Sequence, residues 1–260
     1  MNRKEKDRRV FEEWIGFLHK KKPSTEFPGQ LMLEIGNCFL GIPYGTGTLE
    51  AKKGEHLIIN LGKFDCMTFV ENVIALAGSV KSEKKSFREF RNLLQEIRYR
   101  HGRLQGYSSR LHYFSDWIHD NQKKGFLRNV TASMGGRPFK KSLTFMTMHP
   151  NLYPPLKDVL NLQKMKSVER RISRRSLFFI SKKSLRRLED RIREGDLIAI
   201  TTHTEGLDVQ HVGFATRVKK RIHLLHASST EGEVVLSKKT LYRYLMESRG
   251  RSGIMVARVC

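Results

Sequence analysis

From Asp196 to the C-terminus the chain changes character, and this change limits the possible folds more than any other feature. "DLIAITT", "HVGFATRV", "IHLLHASS", "EVVLS" and "IMVARV" are short β-rich runs separated by turn-like or charged residues. The first half reads differently. Residues 8–20 set Val10, Phe11, Trp14, Ile15, Phe17 and Leu18 at helical spacing, and 66–77 and 86–98 also read as helices. Helices followed by consecutive strands form the α+β pattern rather than an alternating βαβ one, and predict an antiparallel meander or barrel-like sheet.

Between these halves, about 100–160 is rich in loops yet carries enough aromatics to fold: "SRLHYFSDWIHDN", "MGGRPF", "MHPNLYPP". Residues 164–193 hold twelve Lys/Arg against three acids, with Leu185, Leu188 and Ile192 suggesting a helix late in the run. "KKKPSTEFPGQ" marks a break after the opening helix. The expected organisation is a basic N-terminal helix and linker over 1–30, then one domain over 31–260 with an insertion at about 80–195.

A formal charge of +23 predicts attraction to polyanions that weakens with salt, without naming the partner. The N-terminus lacks the apolar stretch of a secretory signal, and no run approaches the ~20 apolar residues of a membrane span. Three scattered cysteines, Cys38, Cys66 and Cys260, give neither a disulfide framework nor a zinc pattern.

In "FDCMTFVENVIALA" the residues Cys66, Phe69, Val70, Val73, Ile74 and Ala77 follow one helix face, and Asp65 is a plausible N-cap. Cys66 then lies in the first turn, where the helix N-terminus favours the thiolate and its own amide could donate to an oxyanion. A cysteine alone is more often an inert core thiol, so a base is required. If "HVGFATRV" and "IHLLHASS" form a hairpin turning at Lys219-Lys220, paired residue numbers sum to 439 and His211 lies opposite Ser228. His226 then shares the face of His211 as a diagonal neighbour, and His223 takes the other face. Gly213 and Ala215 lie on the His211 face, as if to let the Cys66 helix pack closely, and Val212 and Phe214 point away. The order Cys, His, His has the logic of a nucleophile, a base and an orienting partner.

"PYGTG", "DCMTFVEN" and "HVGFATRV" with "LHASS" resemble the NlpC-type cysteine hydrolases of bacterial cell walls. Together with "LGIPYGTGTLE", "SRLHYFSDWIHDN" and "GLDVQHVGFA", they look most like the N-acetylmuramoyl-L-alanine amidase-like branch, from about residue 31 to the C-terminus. The resemblance implies a papain-like α+β domain in which the nucleophile helix packs on an antiparallel sheet or half-barrel and a large helical and loop insertion shapes a restrictive pocket. The implied activity is hydrolysis of the amide between N-acetylmuramic acid and L-alanine in peptidoglycan fragments, by a monomer with no cofactor and no metal. Cys66 would be the nucleophile, His211 the base, His226 the polar third member and Tyr44 a holder of the carbonyl oxygen. Thr46, Ser109, Arg110, His112, Tyr113, His149 and Asp208 would bind substrate, with Arg110 pairing bidentately with a carboxylate. Two spacings are long: Tyr44 precedes Cys66 by 22 residues, so the loop must fold back, and 145 residues separate Cys66 from His211. Met67 stands where Ser or Thr is usual.

Three rival readings differ in chemistry: a stem-peptide endopeptidase of the same fold, a basic nucleic-acid-binding protein, and a zinc hydrolase built on His203, Asp208 and His211. A periplasmic or envelope location follows from the resemblance, and a cytoplasmic one from the missing signal.

Overall fold

A computed structural model describes residues 3–21, 27–50, 54–82 and 86–260. The central part of the break predicted after the opening helix, residues 22–26, lies outside the described residues. Four helices come first: α1 (Arg3–Lys21), α2 (Pro28–Cys38), α3 (Cys66–Lys81) and α4 (Phe87–Arg98). Between α4 and the last third lie α5 (Phe114–Lys123), β1 (Leu127–Asn129), β2 (Arg137–Phe139), α6 (Phe145–Met148), α7 (Val159–Ser173), β3 (Leu177–Ser181) and α8 (Lys182–Leu188). The last third contains β4 (Leu197–Thr202), β5 (Val209–Val218), β6 (Arg221–Ser228), β7 (Glu233–Thr240), α9 (Leu241–Met246) and β8 (Arg251–Val259).

These strands form a single antiparallel sheet in the order β2-β3-β8-β4-β5-β6-β7, with β1 also paired to β8. The expected meander is present as β4 to β7. It is not the whole sheet, because β8 returns to lie between β3 and β4. The stretch expected to be a helical and loop insertion thus contributes strands as well, and they extend the sheet. The apolar run of β3, "LFFIS", is only five residues long and sits inside a strongly basic stretch that hides it from pattern reading.

β4 is buried along its whole length, as a strand covered on both faces must be. On one face Leu197, Ala199, Phe214, Leu225, Ala227 and Met255 pack with Phe69, Val73 and other residues of α1 to α4. On the other, Ile198, Ile200, Ala215, Ile222 and Leu224 meet Leu185 of α8 and Leu241 and Leu245 of α9. A third apolar cluster, including Tyr113, Leu143, Met146, Met165 and Ile172, lies within the insertion. α1 joins the first core: Phe11 stacks on Phe90 at 5.1 Å and Trp14 meets Phe39 at 4.5 Å. Among the described residues no helix is long and apolar enough to cross a membrane.

The β5–β6 hairpin turns at Lys219-Lys220, whose φ angles of +46° and +66° give the left-handed pair needed by a tight two-residue turn. Val218 pairs with Arg221 and Phe214 with Leu225, so the register is the one expected.

Candidate active site

Asp65 caps α3: its carboxylate accepts the Thr68 amide at 2.7 Å, and the Thr68 hydroxyl accepts the Asp65 amide at 2.9 Å. This reciprocal pair satisfies two otherwise orphaned donors and fixes the first turn, where Cys66 stands. The loop carrying Tyr44 folds back onto this turn. Tyr44 bridges in parallel to Phe64, the Gly45 amide donates to the Phe64 carbonyl at 2.9 Å, and the Tyr44 amide donates to Gly232 at 2.7 Å. The 22-residue separation is thereby closed. The neighbouring contact comes from Thr48, whose hydroxyl donates to Asp65 at 3.1 Å; Thr46 is exposed at the turn.

His211 and His226 are brought together as the shared face requires: Nε2 of His211 lies 2.7 Å from Nδ1 of His226. Gly213 makes this possible. A Cβ at position 213 would lie 2.8 Å from the His226 Cβ and 2.9 Å from the Leu225 carbonyl, closer than such contacts occur.

The reason expected for the small residues was wrong. The bulky Val212 and Phe214 face α3, with Phe214 5.8 Å from Phe69, whereas Ala215 packs toward α9. Burial of large apolar groups against the helix decides the face, and the two imidazoles occupy the other one. Cys66 reaches the same strand from the α3 side, beside the Val212 amide. Ala215 exchanges hydrogen bonds on the β4 side, so by alternation the backbone of Val212 faces β6. Strand pairing between β5 and β6 stops at Phe214–Leu225, and beyond it the Val212 amide is directed at the Cys66 sulfur.

Electrostatically the resting site is neutral. Burial pushes the Cys66 thiol up to about 12, the Asp65 carboxylate adds to the rise, and the amides of Val212, Cys66 and Met67 oppose it without winning. The helix terminus thus fails to produce the thiolate expected from position alone, because desolvation outweighs amide donation. Burial also lowers His211 to about 3, with the His226 and Arg251 charges acting in the same direction, and lowers His226 to about 4, again helped by Arg251. Tyr44 is raised by burial and then by Cys66 and Asp65, the residues at the start of α3.

Two residues beside the imidazoles carry no sequence signal. Tyr244 of α9 has its ring 6.2 Å from His211 and 5.9 Å from His226, and the Arg251 guanidinium lies 3.7 Å above the Tyr244 ring. Both lie after the last recognisable motif, "LHASS", between the β-rich runs "EVVLS" and "IMVARV".

The remaining expected binding residues are engaged in holding the fold. Arg110 is buried, donates to the Leu49 carbonyl at 3.0 Å, pairs with Glu50 and Glu55, and lies over Tyr107, so two carboxylates of the protein already face its guanidinium. Ser109 closes its own turn onto Gly106 at 2.6 Å. His112 bonds the Tyr107 carbonyl at 3.0 Å, and burial followed by the Arg110 charge holds it well below the usual imidazole range. Tyr113 donates to Glu169 at 2.7 Å inside the insertion. His149 is exposed and bonds the Phe145 carbonyl at 2.8 Å. Asp208 is buried and accepts the Ser115 amide at 2.7 Å and the Val209 amide at 2.8 Å, tying the start of α5 to β5. Those bonds occupy Asp208, and His203 is exposed, so the proposed zinc set does not assemble; among the described residues no cluster of His, Cys, Asp or Glu fits a metal ion.

The chain as a whole is similar to known proteins. The family model described as AmiA-like, N-acetylmuramoyl-L-alanine amidase-like, matches residues 34–254. A crystal structure of an N-acetylmuramoyl-L-alanine amidase from Bacteroides uniformis is 40% identical, covering 89% of this chain and 98% of that one with a TM-score of 0.85. A Bacteroides fragilis protein named as a candidate xylanase is 42% identical, covering 86% of this chain and 99% of that one with a TM-score of 0.82. A Legionella pneumophila protein of the DUF1460 family is 22% identical over 98% of this chain and 95% of its own, with a TM-score of 0.72, and shares the fold. No curated protein matches the chain.

Proposed function

Because the chain belongs to the AmiA-like, N-acetylmuramoyl-L-alanine amidase-like family, we propose that it hydrolyses the amide between N-acetylmuramic acid and L-alanine in peptidoglycan fragments, using Cys66 as nucleophile in a papain-like arrangement. One observation carries this reading: a coupled imidazole pair, His211 to His226 at 2.7 Å, on the strand whose next amide, that of Val212, points at the Cys66 sulfur.

With Nε2 of His211 engaged by His226, the free Nδ1 is the atom left for the thiol. In the productive tautomer His211 Nε2–H donates to His226 Nδ1, and Nδ1 of His211 accepts the thiol proton. Because both partners rest neutral, that proton moves as the sulfur attacks the lactyl carbonyl, in general-base catalysis rather than from a standing ion pair. The Cys66 amide and the Tyr44 hydroxyl stabilise the oxyanion. His211 then returns the proton to the departing L-alanine nitrogen. Water attacks the thioester, again deprotonated by His211, and frees muramic acid and thiol.

The decisive assay is mass spectrometry of defined muropeptides, with and without a 1,6-anhydro end, digested by the wild-type protein and by Cys66→Ala. The wild type should release an intact stem peptide beginning with L-alanine, and Cys66→Ala should lose about 10⁶ in rate. Cleavage at the D-glutamyl bond instead would indicate the endopeptidase, and full turnover by Cys66→Ala would eliminate the mechanism.

A further inference from the structure

A cavity of about 440 Å³ opens from His226 along the residues Ser228, Glu231, Tyr244, Glu247 and Arg251. Arg251 is its unusual member. The guanidinium stacks on Tyr244 and donates to the Tyr244 carbonyl, yet its Nε is enclosed and has no partner. Glu247, an acid lining the same cavity, is already paired with Lys239 at 2.5 Å, and Arg251 forms no ion pair among the described residues. A half-buried cation that forms no such pair, although Glu231 and Glu233 also line the cavity, leaves its enclosed Nε open to a ligand anion beside the coupled histidines.

On the amidase reading, the glycan side of the substrate carries no charge, since the lactyl carboxyl is consumed in the scissile amide. Anions occur only on the peptide. The first is the α-carboxylate of the D-glutamate that follows L-alanine, left free when that residue is linked through its side chain. An extended peptide advances about 3.3 Å per residue, so this group lies roughly 7 Å from the scissile nitrogen, and the cavity that opens from His226 past Tyr244 to Arg251 offers it a cation. We infer that Arg251 is a specificity-determining residue that binds this carboxylate, and that the cavity beyond His226 holds the stem peptide. This rests on the proposed activity and adds to it which end of the substrate is read by charge.

The test compares N-acetylmuramoyl-L-Ala-D-Glu with its D-isoglutamine α-amide, as kcat/KM for the wild type, Arg251→Gln and Arg251→Lys. The wild type should prefer the acid by about 10–100-fold, the worth of a charge-assisted contact. Arg251→Gln should bring the ratio close to one, and Arg251→Lys should restore part of it. Equal turnover of both by the wild type, or an unchanged ratio in Arg251→Gln, overturns the proposal. Calorimetry on Cys66→Ala with the same two compounds reads the preference without turnover: the acid should bind more tightly, and the difference should vanish in Cys66→Ala/Arg251→Gln. If the wild type cleaves neither compound, the amidase reading fails by itself, and the calorimetry still decides Arg251.

Discussion

The buried imidazole pair ties stability to acid. In the folded chain His211 titrates at about 3 and His226 at about 4, against 6.5 when unfolded. Between these values the unfolded chain binds protons that the folded chain refuses. The stabilisation is complete above about pH 6.5 and is lost as pH falls toward 3. At about pH 5 an imidazole so depressed has lost 1.5 pK units of protection, or about 2 kcal/mol at 1.36 kcal/mol per unit. At this pH the folded pair carries almost no charge, so the coupling between the two rings does not enter and the contributions add to about 4 kcal/mol for the pair. Of the total stability usual for a domain, about 5–15 kcal/mol, this is a large share. Urea unfolding followed by tryptophan fluorescence at pH 7.5, 6.5, 5.5 and 5 should show the wild type losing that much more than His211→Asn/His226→Asn, in which nothing remains to protonate at the two positions. His112, also depressed, is present in both proteins and cancels. Parallel pH curves for the two proteins would refute the buried neutral pair.

Other consequences are open to simpler measurements. With the thiol held near 12, alkylation of Cys66 by iodoacetamide should keep rising with pH through about pH 9; a plateau near pH 5 would reveal a standing thiolate–imidazolium pair instead. Gly213→Ala should cost about 1–3 kcal/mol in thermal unfolding and displace His226, so an unaltered Tm with full activity would show that the close approach is relieved without cost. Arg110→Ala should destabilise by about 1–3 kcal/mol, since Glu55 loses its cation but keeps the Tyr99 hydroxyl; a raised KM at unchanged Tm would return Arg110 to the substrate.

The short-range features were legible because short-range chemistry creates them. Asp65 with Thr68 caps α3, the two-period of β5 and β6 aligns His211 with His226, and helices before strands give the mixed architecture. The "LFFIS" strand escaped notice because its neighbours are arginines and lysines, and a strand completing a distant sheet edge needs no local signature. Arg110 shows the opposite failure: a residue type suited to a carboxylate was identified, but its carboxylates, Glu50 and Glu55, belong to the protein itself.

Sequence alone determined the helix start at Cys66, the hairpin register and the candidate nucleophile, base and partner, since periodicity, capping and turn geometry act over a few residues. Only the tertiary structure decided which face of β5 meets α3, that Tyr244 and Arg251 join the imidazoles, and that the thiol rests protonated. Each of these depends on what is buried against what, and desolvation and side-chain volume are properties of the assembled core that no local stretch carries.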